Sequence, residues 1–306
     1  MCSAGAQYIE SADCLSQGCC YVPAPGDIGG TYLELPACFM ANEGASDYAV
    51  RGSTLQTGAD GAQQASLDLQ GNGTMQSLGS DISPITLSVE NVDQNILRVK
   101  MGANGRFEVP GSLFQNTGQG RVQGNPKYGL QYSASPFGYA VTRVGSSTAA
   151  LFNTAGNRIV FKDQYLEVTS SIPPSATLFG LGEFNTNTGF PLRRDGLPYT
   201  LWARDQPPAV PNINLYGSHP IILDVRDGGV THGVMLMNSN GMDIAITSNT
   251  LQFRAIGGIL DFYFLLGPSP MDVLNQFTSI VGRPVMPPYW SLGLMQSKYA
   301  VLHLPF

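Results

Sequence analysis

The stretch HGVMLMNSNGMDIAITSNTLQFRAIGGILDFYFLL, residues 232–266, decides how the chain is read. Within it, 234–237 and 259–266 carry apolar side chains on both alternating sets of positions, which suits central strands of packed sheets. Between them Met242, Ile244 and Ile246 alternate with Asp243, Ala245 and Thr247, the two-residue period of a half-buried strand. The same period recurs upstream. Ile85, Leu87 and Val89 alternate with Thr86, Ser88 and Glu90, and Leu97, Val99 and Met101 alternate with Arg98 and Lys100. Ile159 with Phe161, then Leu166 with Val168, continue it. Gly and Pro clusters separate the runs and no helices intervene, so the pattern predicts a mainly β protein built as an antiparallel sandwich.

One helix is expected, over 270–281. Ser269 offers an N-cap, Pro270 a first helical residue without a needed N–H, and Asp272 a carboxylate in the first turn. Val273, Leu274, Phe277, Ile280 and Val281 would form its apolar face. Gly282 and Pro284 supply a stop signal.

Only 12 % of the 306 residues are charged, while Gly (36) and Pro (21) are abundant. This describes a loop-rich chain with a neutral surface. A net charge of −6 without a basic run excludes a nucleic-acid binder, which needs clustered Lys and Arg to neutralise phosphates. No apolar run approaches the length needed to span a bilayer, so no membrane segment is expected. The opening MCSAGAQYIES lacks the basic head and apolar stretch of a signal peptide.

All five cysteines fall before residue 39, three of them in CLSQGCCYV, residues 14–22. Cys19 and Cys20 are adjacent and ill-placed to bridge each other, so each wants a partner elsewhere. Such local density suits a disulfide-stapled module made in an oxidising compartment. Buried free thiols and a zinc site are the rivals. The zinc site lacks nearby histidines, since His219, His232 and His303 are remote in sequence.

The pattern Cys2, Cys14, Cys19–Cys20 and Cys38–Phe39, with Gly18 before the pair and Tyr21 after it, resembles a trefoil (P-type) domain. That family carries six half-cystines, and those present match the second to the sixth. The resemblance implies bridges Cys2–Cys19 and Cys14–Cys38, with Cys20 unpaired and its partner expected upstream of Met1. Residues 40–80 are rich in Gly, Ser, Gln and Ala and read as linker and early edge strands. Asn72-Gly73-Thr74 within them is an N-glycosylation sequon.

A second resemblance covers the rest. SPFGYAVTRV (135–144), RIVFKDQYLEV (158–168), FGLGE (179–183), ARDQ (203–206) with NLYGSHPI (214–221), HGVMLMNSNGMDI (232–244), IGGILDFYFLLGPSP (256–270) and VGRPVMPPYWSLG (281–293) are similar, in order, to strings of glycoside hydrolase family 31, the α-glucosidase family. The resemblance implies a galactose mutarotase-like β-sandwich followed by a catalytic (β/α)8 barrel. Residues 1–46 are then the trefoil, 47–284 the sandwich, and 285–306 the first strand of an incomplete barrel, with Trp290 in its core.

The family's nucleophile aspartate sits in a W-x-D-M-N-E-type string that this sequence does not contain, and the acid/base aspartate lies beyond it. Retaining hydrolysis needs two carboxyl groups about 5–5.5 Å apart. No catalytic residue is therefore assigned, and no metal or cofactor is implied. Glu183, after Gly-Leu-Gly, reads as the brace of a turn. What the resemblance does assign is substrate contact. Asp205 falls where the family has an aspartate that binds substrate hydroxyls, with Arg204 before it and Tyr216 after it. An Arg204–Asp205 surface ion pair is the plainer alternative. His219 is expected to be a hydrogen-bonded structural residue, and Trp202 is a candidate for stacking on sugar. The reading is of an N-terminal portion of a secretory-pathway α-glucosidase, inactive by itself, whose partners are α-glucoside oligosaccharides and the rest of the barrel. A non-catalytic glycan-binding module and a secreted trefoil interaction protein are the alternatives.

Overall fold

The computed structural model describes residues 46–58, 61–71, 78–113, 125–146, 149–186, 189–206 and 210–295, together with 12, 19–21 and 38–40. In chain order the strands are β1 (Cys19–Tyr21), β2 (Cys38–Met40), β3 (Tyr48–Val50), β4 (Gln56–Thr57), β5 (Gln63–Leu69), β6 (Ile85–Asp93), β7 (Ile96–Gly102), β8 (Tyr128–Ala134), β9 (Phe137–Arg143) and β10 (Phe152–Asn153). They continue with β11 (Ile159–Phe161), β12 (Leu166–Ser171), β13 (Thr177–Gly180), β14 (Pro198–Leu201), β15 (Ile221–Val225), β16 (Thr231–Leu236), β17 (Met242–Ile246), β18 (Thr250–Ala255) and β19 (Leu260–Leu265). One helix, α1 (Pro270–Val281), follows.

All the ladders are antiparallel. The large sheet runs β13-β15-β16-β19-β7-β6-β5-β3, with β4 also on β5. A five-stranded sheet, β11-β12-β18-β17-β14, and a three-stranded one, β10-β9-β8, make up the rest of the sandwich. The strands expected from the two-residue period are all present. Those of 40–80 are there too, with β3 at the sheet edge.

β16 and β19 are buried along their whole length, because the large sheet is covered on both faces. On the inner face, Phe262 and Phe264 of β19 meet Phe152 of β10 at ring separations of 5.4 and 5.1 Å, and Phe253 of β18 meets Phe262 at 5.2 Å. These rings join all three sheets in one core. Stacked and edge-on aromatic pairs of this kind add to the area they remove from water.

On the outer face Ile96, Ile221, Met235, Tyr263 and Leu265 pack beneath α1 through Val273 and Ile280. The helix starts as expected. Ser269 Oγ accepts from the Asp272 N–H at 3.2 Å, and the Asp272 carboxylate accepts the Ser269 N–H at 3.1 Å. Its apolar face is narrower than the sequence implied. Leu274 and Val281 are exposed, since a helix lying on one sheet buries only a central stripe.

Within 285–295, the part of the last segment that is described, the structure differs from the expectation. Tyr289–Leu292 is a short 3-10 turn with Trp290 exposed, not a strand with Trp290 in a core. A parallel strand takes its ladder from neighbours, and no described strand pairs with this segment. The matches at Ser297, Lys298 and Tyr299 lie outside the described residues. At the other end, β1 and β2 pair with Cys20 opposite Phe39. Cys2, Cys14, the side chains of Cys19, Cys20 and Cys38, and the Asn72 sequon lie outside the described residues, as does the proposed disulfide pairing. No described helix is long and apolar enough to cross a membrane.

Candidate functional site

The excursion between β14 and β15 carries Trp202, Arg204, Asp205 and Tyr216. It is pinned at its base by the segment leaving β13. Gly180, at φ +120°, lies so close to β15 that a Cβ there would stand 2.3 Å from the Ile221 carbonyl oxygen. Leu181 then adopts φ +57°, a left-handed conformation rare outside glycine. This turn delivers Glu183 to the excursion. The Glu183 N–H donates to the Gly217 carbonyl at 2.7 Å, and the Leu215 N–H donates to the Glu183 carbonyl at 2.9 Å. The Glu183 carboxylate faces the Gly217 N–H at 3.4 Å.

Asn214 completes the brace. It is 1 % exposed, and Nδ2 donates to the carbonyls of Gly217 at 2.7 Å and Glu183 at 3.1 Å. Its Oδ1 accepts from Ser218 Oγ at 2.8 Å. Further out, the Arg204 N–H donates to the Leu215 carbonyl at 2.7 Å, which sets the two arms of the excursion side by side. Tyr216 can therefore reach across, and its hydroxyl donates to Asp205 Oδ1 at 2.8 Å. That bond and the carboxylate charge raise the Tyr216 pKa above its usual value.

Asp205 and Tyr216 are both exposed. The structure brings these two expected residues together and leaves Arg204 apart. Arg204 Nε points to the Trp202 carbonyl at 3.4 Å, and no Arg204–Asp205 ion pair exists among the described residues. Among the described residues Asp205 thus keeps one carboxylate oxygen free to accept hydroxyl hydrogens. The arrangement can bind a polyol through Asp205, while the Glu183 carboxylate faces the Gly217 N–H.

His219 is exposed and bonds through its main chain, its N–H donating to the Gly182 carbonyl at 2.9 Å. No described side-chain bond holds its ring, which packs against Gly182 instead. The Trp202 ring rests on Gly241, where a Cβ would come within 2.5 Å of it, and remains 55 % exposed. Among the described residues no group of three or more His, Cys, Asp and Glu side chains could hold a metal. The sequence reading passed over Asn214. Its place in NLYGSHPI marks it, but only its burial reveals the brace.

Comparison with known proteins places this geometry. Residues 86–244 match the glycosyl hydrolase 31 N-terminal galactose mutarotase-like domain. A probable α-glucosidase of Oryza sativa subsp. japonica is 38 % identical over 303 residues, 90 % of this chain and 34 % of that protein. The lysosomal α-glucosidase of Mus musculus is 35 % identical over 288 residues, 93 % of this chain and 29 % of that protein. The chain therefore spans about a third of the length of these curated relatives. A crystal structure of the glucosidase II α subunit in a Glc1Man2-bound form shares the fold at TM-score 0.64 and 14 % identity, over 81 % of this chain and 35 % of that one. With more than half its length matched to that family's sandwich, the chain belongs to glycoside hydrolase family 31 and carries its N-terminal galactose mutarotase-like domain.

Proposed function

We propose that the chain is the N-terminal region of a secretory-pathway α-glucosidase. In this reading the 202–217 excursion contributes Asp205, with Arg204 and Tyr216 beside it, to the binding of α-glucoside oligosaccharides. One observation carries the proposal: Asp205 is exposed, one carboxylate oxygen is held by Tyr216, and the other is open to sugar hydroxyls. A carboxylate accepting hydroxyl hydrogens is among the stronger polar contacts a neutral sugar can make. The names of the relatives support the substrate class, and the lysosomal one supports the compartment. Hydrolysis needs two facing carboxyls, so turnover belongs to the barrel that carries the family's aspartates. The trefoil with bridges Cys2–Cys19 and Cys14–Cys38, and Cys20 unpaired, is part of the same proposal and is tested by a mass-spectrometric disulfide map.

The functional test is an NMR titration of the purified chain with maltose, alongside an assay on maltose and nitrophenyl α-glucoside. Amide shifts confined to 202–217 and abolished by Asp205→Ala, without turnover, are expected. Turnover by the chain alone that disappears in Asp205→Ala would overturn the division of labour. Shifts that persist in Asp205→Ala would overturn the site.

A further inference from the structure

A cleft of about 360 Å³ opens where the loop after β7, the β11–β12 turn and the β18–β19 connection converge. It shares no residue with the Asp205–Tyr216 pair. Arg106 lines it, with a side chain only 8 % exposed. Its guanidinium lies 5.3 Å from the ring centre of buried Phe161. It donates through Nε to the Gly258 carbonyl, through Nη2 to the Asp163 carbonyl at 2.7 Å, and through Nη1 to Asp163 Oδ1 at 3.3 Å. A guanidinium carries five N–H donors, so two remain beyond these bonds.

Around this fixed cation stand exposed polar groups. The Asp163 side chain is 90 % exposed, and only its Oδ1 meets Arg106. Asn104 and Gln164 are exposed, and their carboxamides make no hydrogen bond among the described residues. Phe107 on the rim is 56 % exposed and Ile256 is 55 % exposed. Ile256 also flanks Gly241, on which the Trp202 ring rests, so the apolar rim extends toward that indole.

We propose that this cleft is a second carbohydrate site, taking a segment of a neutral α-glucan chain. A sugar presents vicinal hydroxyls that both donate and accept, and an apolar C–H face. Asp163 accepts, Arg106 donates, the two carboxamides do both, and Phe107 offers a ring for the C–H face. An anion is disfavoured by the Asp163 carboxylate. A nucleic acid would need several cations where there is one. The cleft chemistry by itself asks only for a neutral polyhydroxy ligand; the α-glucan rests on the proposed reading of the chain as part of an α-glucosidase.

Native affinity electrophoresis of the chain through gels containing soluble amylopectin tests this. Wild type is expected to be retarded. Phe107→Ala and Asp163→Ala should each weaken retention about threefold or more, the scale of one lost stacking or hydrogen-bonding contact. Asn104→Ala, at an exposed position, provides a variant with little risk to folding and should act in the same direction. Asp205→Ala removes only the share of retention that the 202–217 site contributes, and Phe107→Ala made in that background should still weaken what remains. Equal retention of wild type and the cleft variants overturns the proposal. So does retention lost only in Asp205→Ala, a result that upholds the 202–217 site. Absence of retention, with the maltose-induced shifts at 202–217 still present, overturns the cleft and leaves that site standing.

Discussion

Asn214 Nδ2 donates to the Glu183 carbonyl at 3.1 Å, a bond across 31 residues that joins the excursion to the turn after β13. The same nitrogen serves Gly217, and Asn214 is buried. Replacing it by Ala removes one of the two hydrogen bonds that each of these carbonyls accepts and takes the acceptor from Ser218 Oγ. The expected loss is about 1–3 kcal/mol, the net worth of two buried hydrogen bonds. Urea unfolding should show it, and hydrogen exchange at the amides of Leu215 and Gly217 should quicken more than exchange in β16. Equal protection in the two regions would show that the excursion is held by something other than this brace.

His232 sets a pH dependence. It is buried beside Asp224, Arg226 and Arg143, and its Nε2–H donates to the Leu151 carbonyl at 2.9 Å. Burial is the main cause of a pKa pushed down to about 4; the Asp224 charge pulls the other way and the arginines add to the depression. The ring is therefore neutral near pH 7, and its 3.6 Å approach to Asp224 is not an ion pair there. The unfolded chain takes up this proton near the ordinary value of 6.5, while the folded chain refuses it until about 4. The contribution to stability is thus fully present above pH 6.5 and is lost as pH falls toward 4. Its size is about 3 kcal/mol. Unfolding free energies at pH 7, 5.5 and 4 should fall more steeply for wild type than for His232→Gln, which keeps a donor for Leu151. Parallel curves would exclude His232 as the cause.

Ser269→Ala removes the capping box of α1. About 1 kcal/mol should be lost. The loss should come without a change in the denaturant slope, since the helix covers the outer face of the large sheet in both proteins. A cost near zero would mean that packing of Val273 and Ile280 alone defines the helix start.

The segment after α1 exposes Val285, Met286, Tyr289, Trp290, Leu292 and Leu294, the last at 99 %. Large apolar side chains exposed in such number over residues 285–294 favour association with partners or copies. The purified chain is expected to bind a hydrophobic dye and to self-associate in sedimentation runs. Met286→Ser combined with Tyr289→Ser should reduce both signals. A monodisperse monomer that ignores the dye would contradict this.

Much of the fold was legible because its signals are local. The alternation at 85–89, 97–101 and 242–246 follows from the pleat of a strand with one buried face. The start of α1 follows from Ser269, Pro270 and Asp272. The failures share one cause. Trp290 looks like core in a list of residues, yet whether it is buried depends on neighbours that no local pattern names. Leu274 and Val281 fit an apolar stripe whose width only the single covering sheet determines.

By itself the amino-acid order determined that the chain is mainly β, where its clearest strands and its helix lie, and which family it resembles. The tertiary structure alone decided that Tyr216 meets Asp205 while Arg204 does not, that Asn214 and Glu183 form the brace beneath them, and that Arg106, Asp163 and Phe107 share a cleft. Those relations join segments far apart in the chain. They arise only when antiparallel sheets bring the segments together and burial forces each polar group to find a partner.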